Sequence, residues 1–278
     1  MKQFIKTNFL LIVILANYFY ILFAMFISAN NIGGLILILT VQALLTIFLL
    51  SSAGENFIRQ AIYNGRELLF ESERNYLNPL FREVYKEALK HNPNLSRDIE
   101  LYIIDSLEIQ AYALGKNTIM ITQGAVNILK EEDLKGILAH EFGHISNHFT
   151  KVLIFLQTSI WVATAAMWLY KVIARVIKYI LKTKENDYGS GTIKFISFII
   201  DSVFVIPIAT VQFIIAVGRR TNELYADDFA AEIGYGEGLR NALILIHNLD
   251  LAKSRSFLER LMDTHPPTPE RISRLETA

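Results

Sequence analysis

Long uncharged blocks alternate along the chain with shorter stretches of mixed polarity. Residues 9–29 (FLLIVILANYFYILFAMFISA) and 32–50 (IGGLILILTVQALLTIFLL) carry no charge. Each has about the 20 residues a helix needs to cross a hydrocarbon core. Only Asn30 and Asn31 separate them, which predicts a tight membrane hairpin. Lys2 and Lys6 precede the first block, but the block exceeds the ~7–15 apolar residues of a signal peptide, so an uncleaved anchor is expected. A second pair, 152–170 and 195–217, is uncharged except for Asp201 near the start of its second member. Between them Lys171, Arg175, Lys178 and Lys182 fall on one helical face, suited to lipid headgroups.

The two remaining segments, 54–150 and 219–278, have the polarity of one water-soluble domain. The first predicts a helix over 55–76 and another starting at Asn78-Pro79 and ending before Asn92-Pro93. Three apolar or alternating runs follow, IELYII (99–104), EIQAYAL (108–114) and TIMIT (118–122), with Gly115-Lys116-Asn117 as a hairpin turn. The expected fold class is mostly α (α+β): four hydrophobic membrane helices plus a domain with a small antiparallel sheet. The expected organisation is a transmembrane hairpin over 1–53, a first domain part over 54–150, a second hairpin over 151–218 and a second domain part over 219–278.

Composition narrows the chemistry. The chain is 52% hydrophobic with formal net charge +0, so no basic field argues for nucleic acid. It has no cysteine, which excludes disulfides, thiolate ligands and thiol nucleophiles and leaves His and carboxylate for any metal. Lys2, Lys6, Arg59 and Arg66 place the N-terminus and the segment after the first hairpin on the cytoplasmic side. The basic 171–184 stretch would then lie outside if the second pair crosses fully; a re-entrant hairpin is the alternative, and both stay open.

AHEFGHISNH (139–148) concentrates the candidate chemistry. Glu131, Glu132 and Asp133 open a helix on which His140 and His144 are one turn apart and face the same way. Two such imidazoles suit two corners of a zinc tetrahedron, with Glu141 beside them as general base. Asn147 and Thr150 stand where a third-histidine motif would need Gly and His, neither of which is present, and His148 falls on a drifting face. A glutamate from a later helix would complete a His₂Glu set with an open position. Glu223 in RRTNELYADDFAAEIG (219–234) offers it, and Asp227, one turn on, is placed to accept the spare N–H of a ligating histidine.

With these residues assembled, the chain resembles the HtpX-like membrane zinc metalloproteases, of the gluzincin HExxH…E type. The family's R-x-x-E-x-x-A-D-x-x-A matches Arg220, Glu223, Ala226, Asp227 and Ala230. Its T-H-P-P…R-I-x-x-L matches Thr264, His265, Pro266, Pro267, Arg271, Ile272 and Leu275. Gln110-Ala111-Tyr112-Ala113 departs from the family's Asn-Ala-Phe-Ala. The resemblance implies one Zn²⁺ per chain held by His140, His144 and Glu223, with Glu141 moving the proton of the attacking water. It implies His265 at the open side, as oxyanion stabiliser or fourth ligand. The strand of Thr118, Ile119, Met120 and Ile121 is expected as an edge that pairs with extended substrate. The implied function is quality-control endoproteolysis of misfolded or damaged membrane proteins, in the lipid bilayer of the cell (inner) membrane, with the site on the cytoplasmic side. A prenyl-protein (CAAX-type) endopeptidase and a non-catalytic zinc-stabilised scaffold are the alternatives.

Overall fold

A computed structural model describes residues 32–147, scattered helical residues between 154 and 176, residue 212, and residues 218–251 and 268–277. The first predicted span (9–29), nearly all of the fourth (195–217) and His265 lie outside the described residues. The chain divides into two compact units, residues 1–47 with 152–216 and residues 48–151 with 217–278.

In the first unit, α1 (Ile32–Leu49) carries no charge, and its polar side chains are Thr40, Gln42 and Thr46. It exposes Ile36, Leu37, Val41, Leu44 and Ile47. Two of its polar side chains face the helix containing residues 157–162: Gln42 donates to Ser159 Oγ, and Thr46 Oγ1 lies 2.8 Å from Thr158 Oγ1. Buried hydroxyls and amides thus pair with each other where no water could serve them. Among the described residues no single helix is long and apolar enough to cross a membrane, and the four expected spans are not confirmed; α1 passes only as part of a bent pair with α2 (Ser52–Ala61).

The second unit is helical around a three-stranded sheet. Ser51 caps α2, its Oγ accepting from Gly54 N at 3.2 Å. The chain then turns, and α3 runs unbroken from Glu71 to His91. The helices expected over 55–76 and from Asn78 are therefore mis-divided: residues 62–70 are not helical, and Pro79 lies inside α3. The N-terminal signal is carried instead by Glu73, whose Oε2 accepts from Phe70 N at 3.3 Å while its carboxylate takes Arg66 Nη2 at 2.8 Å. Proline costs one backbone bond; the buried face of Leu77, Leu80, Phe81, Val84 and Ala88 carries the helix across that gap.

The sheet has the order β1-β3-β2, with β1 (Glu100–Ile104), β2 (Ala111–Leu114) and β3 (Thr118–Thr122). β2 and β3 form the expected hairpin, Ala111 opposite Ile121 and Leu114 opposite Thr118. Gly115 at φ +61 turns the chain. Glu55 of α2 accepts Lys116 N at 2.8 Å and Asn117 N at 3.3 Å, so a buried carboxylate braces the turn. β1 pairs with β3 in parallel, which makes the sheet mixed and corrects the all-antiparallel expectation. It also moves Thr118, Ile119, Met120 and Ile121 from the edge to the centre. All of β3 is buried, and its hydrogen bonds are spent on two neighbours, so it has none for a substrate. Arg66 bridges to Ile103 on the far side of β1, leaving β2 as the strand with an unpaired edge among the described residues.

One face of the sheet (Leu101, Ile103, Ile119, Ile121) joins the main core. There α5 (Glu131–Ser146), which follows the short α4 (Gln123–Ile128), packs on β2, on α3 and on α7 (Gly236–Leu251). Phe142 of α5 is wholly buried, its ring 5.4 Å from Phe81 and 5.2 Å from Tyr85. Truncating such a residue typically costs about 3–5 kcal/mol. The α5–α7 crossing is glycine-lined: a Cβ on Gly136 would lie 2.1 Å from Leu239 N, and one on Gly238 would lie 2.1 Å from Glu132 O. The helix over 218–232, α6, and the C-terminal α8 (Thr268–Glu276) complete the unit.

Candidate metal centre

α5 is nearly all buried from Asp133 to Gly143, so its polar side chains face protein and must find partners there. The His140 and His144 rings stand one turn apart, centroids 4.6 Å apart and 82° between planes. The next requirement is a close second helix. Gly143 provides it: a Cβ there would lie 2.7 Å from Ala226 Cα of α6. At that spacing Glu223 reaches the histidines, Oε1 3.3 Å from His144 Nε2 and Oε2 3.6 Å from His140 Nε2. Glu141 is buried beside them, and one ligand atom each from His140, Glu141 and His144 lies within 4.8 Å of the others.

These spacings test the fit of a metal. Two donors about 2.0–2.1 Å from a tetrahedral zinc lie roughly 3.3 Å apart. The imidazole-to-carboxylate separations of 3.3 and 3.6 Å match that edge without rearrangement of the backbone. The donor set of two neutral imidazoles and one carboxylate is the His₂Glu type that keeps one position open.

A second layer of charge holds the first. Asp227, one turn beyond Glu223 on α6, is completely buried and accepts from His140 Nδ1 at 2.9 Å. Arg271 of α8 grips the same carboxylate with a two-pronged contact, Nε to Oδ2 at 2.8 Å and Nη2 to Oδ1 at 2.7 Å. Its Nη1 lies 3.3 Å from Glu223 Oε2. Burial opposes ionisation of Asp227, yet the hydrogen bonds from His140 and then Arg271 hold its carboxyl at about 2. Burial likewise disfavours charge on His140, but the hydrogen bonds to Asp227 and Glu223 outweigh it and push the imidazole up to about 9. The two directions agree: in the protein alone, carboxylate and imidazolium stabilise each other, and a metal would take the place of the Nε2 proton, which faces Glu223, while the Nδ1 proton stays hydrogen-bonded to Asp227. On the other histidine, Asn222 Nδ2 lies 3.0 Å from His144 Nδ1. Two further ties fix α8 on α6, Arg274 to Asp228 (3.0 and 2.7 Å) and Arg220 to Glu270.

The structure therefore brings together His140, Glu141, His144, Glu223 and Asp227 and leaves the central β3 outside the set. Sequence reading missed Arg271 and Asn222 as members. Arg271 stands in the C-terminal R-I-x-x-L motif, which was the available signal; Asn222 sits at an unspecified position of the glutamate motif.

Residues 71–278 match the model of Peptidase family M48. The chain belongs to that family. It is thus a metallopeptidase, in a family that is zinc-dependent in general. Among proteins similar to this M48 chain is the "Protease HtpX homolog" of Aquifex aeolicus, 27% identical over 241 residues, covering 77% of this chain and 75% of that one. The protein of the same name from Tropheryma whipplei (strain Twist) is 25% identical over 292 residues and covers 94% of both chains. The crystal structure of S. mikatae Ste24p shares the fold, with TM-score 0.53 and 20% identity over 99% of this chain and 66% of that one.

Proposed function

We propose that this M48 chain is a membrane-anchored, zinc-dependent endopeptidase that acts on misfolded or damaged membrane proteins from the cytoplasmic side. The observation that carries the catalytic part is the convergence of His140 Nε2, His144 Nε2 and the Glu223 carboxylate at tetrahedral-edge distances beside buried Glu141. His140, His144 and Glu223 would hold the zinc. When bound, the ion supplies Lewis acidity, polarising a carbonyl and acidifying water. Glu141, one residue on from His140 and not needed as a ligand, accepts the proton of the attacking water and returns it to the leaving amine. Asp227 keeps the His140 proton on Nδ1, which leaves Nε2 free to donate its lone pair. His265 is proposed at the open side.

Substrate recognition falls to β2 in place of the central β3. β2 packs on α5, and its outer edge is unpaired among the described residues, so an extended peptide could add to it. The membrane anchor is supported by α1, which exposes Ile, Leu, Val and Phe side chains while Gln42 and Thr46 pair inward. The similarity to proteins named Protease HtpX homolog supports the quality-control role.

The test is to purify the full chain in detergent free of chelators, measure bound metal, and follow self-cleavage on adding zinc beside Glu141→Gln. One zinc per chain in both, with cleavage in the parent alone, is expected. Equal cleavage by the variant would remove Glu141 as the base.

A further inference from the structure

The two histidines facing Glu223 are backed by different groups. His140 Nδ1 meets a carboxylate, Asp227 Oδ1, at 2.9 Å. His144 Nδ1 meets a carboxamide, Asn222, at 3.0 Å. We propose that Asn222 is a positioning residue of the metal centre: it fixes the ring and tautomer of His144 by accepting the Nδ1 proton, so that Nε2 faces the metal as a lone pair. This rests on the metal-site reading above.

The argument runs from proton placement. An imidazole that binds metal through Nε2 carries its proton on Nδ1, and that proton needs an acceptor. The Asn222 amide stands at hydrogen-bond distance from it, 3.0 Å. Its oxygen and nitrogen exchange places on a half-turn about the last torsion, which leaves the heavy-atom positions unchanged. With Oδ1 toward His144, the Nδ2 hydrogens point to Asn147, whose own amide is 2.9 Å away and can turn in the same way to accept. The two amides therefore rotate as a pair, and Asn147, at the C-cap of α5, braces Asn222 on α6. Asn222 is buried, which limits the water that can compete for the Nδ1 proton.

Geometry makes the position specific. Asn222 is adjacent to Glu223 in sequence, and the two side chains bracket His144 from one helix, the amide at Nδ1 and the carboxylate at Nε2. The arrangement is asymmetric: a carboxylate makes its imidazole the stronger donor, an amide the weaker one. His144 is thus the ligand whose bond to the metal depends on a neutral acceptor.

The test compares zinc affinity of the full chain in detergent, by competition with a chromophoric chelator, for the parent, Asn222→Leu and Asn222→Asp. Leu keeps the volume and removes the acceptor; affinity is expected to fall about 10–100-fold. Asp keeps the shape and strengthens the acceptor; affinity is expected to rise, and to stay raised at about 0.5 M salt, where a purely long-range charge effect is screened. Circular dichroism and melting of each variant separate loss of fold from loss of metal. Affinities for both variants within about twofold of the parent overturn the proposal. So does equal weakening in both, which would make Asn222 a packing residue only. A parent chain that binds no zinc under these conditions would refute the metal-site reading itself, an outcome distinct from unchanged variants of a zinc-binding parent.

Discussion

Arg271 offers the sharpest test of how the site is held together, because it belongs to the last helix and acts on two carboxylates of another. Its side chain is 9% exposed, and it meets Asp227, which is wholly buried, at 2.7 and 2.8 Å. Replacing it with methionine preserves the apolar stem and removes the fork. Two estimates bound the cost. Removing one partner of a buried ion pair strands the other charge, typically at about 3–5 kcal/mol. Independently, an Asp227 carboxyl displaced from 3.8 to about 2 by His140 and Arg271 is worth roughly 2 kcal/mol to the folded state, shared between the two. Together they bracket the Arg271 contribution at about 1–5 kcal/mol, above the roughly 0–1 kcal/mol of an exposed pair.

The assay is thermal unfolding of the metal-free full chain in detergent, for Arg271→Met, Asp227→Asn and the double variant. The unit that contains the pair is on the order of 160 residues, for which each kcal/mol shifts the midpoint by about 2–4 °C. At the middle of that range, about 3 kcal/mol, Arg271→Met should lower it by roughly 6–12 °C. The double variant should be less destabilised than the two single losses summed, by about 1–3 kcal/mol, since neither member of the Arg271–Asp227 pair is left stranded and His140 and Glu223 keep each other. Arg271→Lys should recover only part, because an ammonium cannot reproduce the two parallel bonds. Additive losses within about 0.5 kcal/mol would refute the coupling. A midpoint unchanged in Arg271→Met would refute the placement of α8 against the metal helix.

Gly143→Ala sets two effects against each other. Alanine is the better helix former by up to about 1 kcal/mol, but its Cβ would lie 2.7 Å from a backbone carbon, Ala226 Cα, which cannot yield without separating α5 from α6. Overpacking of that kind costs about 1–3 kcal/mol, so the variant should melt lower and bind zinc more weakly; a raised midpoint would show that the close approach carries no constraint. Glu73 supplies the pH dependence. Its carboxyl is held below the ordinary 4.5, first by the hydrogen bond from Arg66. Its contribution is therefore present above pH 4.5 and is lost as pH falls through the lowered value. Glu73→Gln should cost about 1–2 kcal/mol at neutral pH and nothing extra in strong acid, so the two melting curves should converge on acidification; a constant gap down to low pH would place the effect elsewhere.

What was legible in the sequence, and what was not, divides along physical range. The His140–His144 pair is read from helical periodicity alone, because residues four apart share a face whatever surrounds them. The meeting of that pair with Glu223 is a contact between α5 and α6, which are some eighty positions apart; only chemistry, the need for a third ligand, pointed to it. The β2–β3 hairpin was legible from Gly115 because its signal is local. The parallel partner β1 was not, since parallel pairing leaves no turn to read, and that one omission turned the central β3 into an expected edge. The break of the predicted helices at Asn78-Pro79 failed for a similar reason: proline's local cost was counted, and the buried face that carries α3 across it was not.

Arg271 shows the same limit at the level of charge. As one arginine among Thr264, His265, Pro266 and Pro267 in a C-terminal motif, it has no partner that spacing could name. In the fold it sits between Asp227 and Glu223, and so touches both the group that orients His140 and the carboxylate set toward the metal. Without that cation, two buried carboxylates one turn apart on α6 would repel each other and favour protonation of one of them. A protonated Glu223 is a poor ligand, and a protonated Asp227 no longer orients His140. The arginine therefore helps hold the buried Asp227 carboxylate ionised beside His140 and sets a positive charge against Glu223. The motif that places it at the end of the chain is as much a part of the metal centre as the histidine helix.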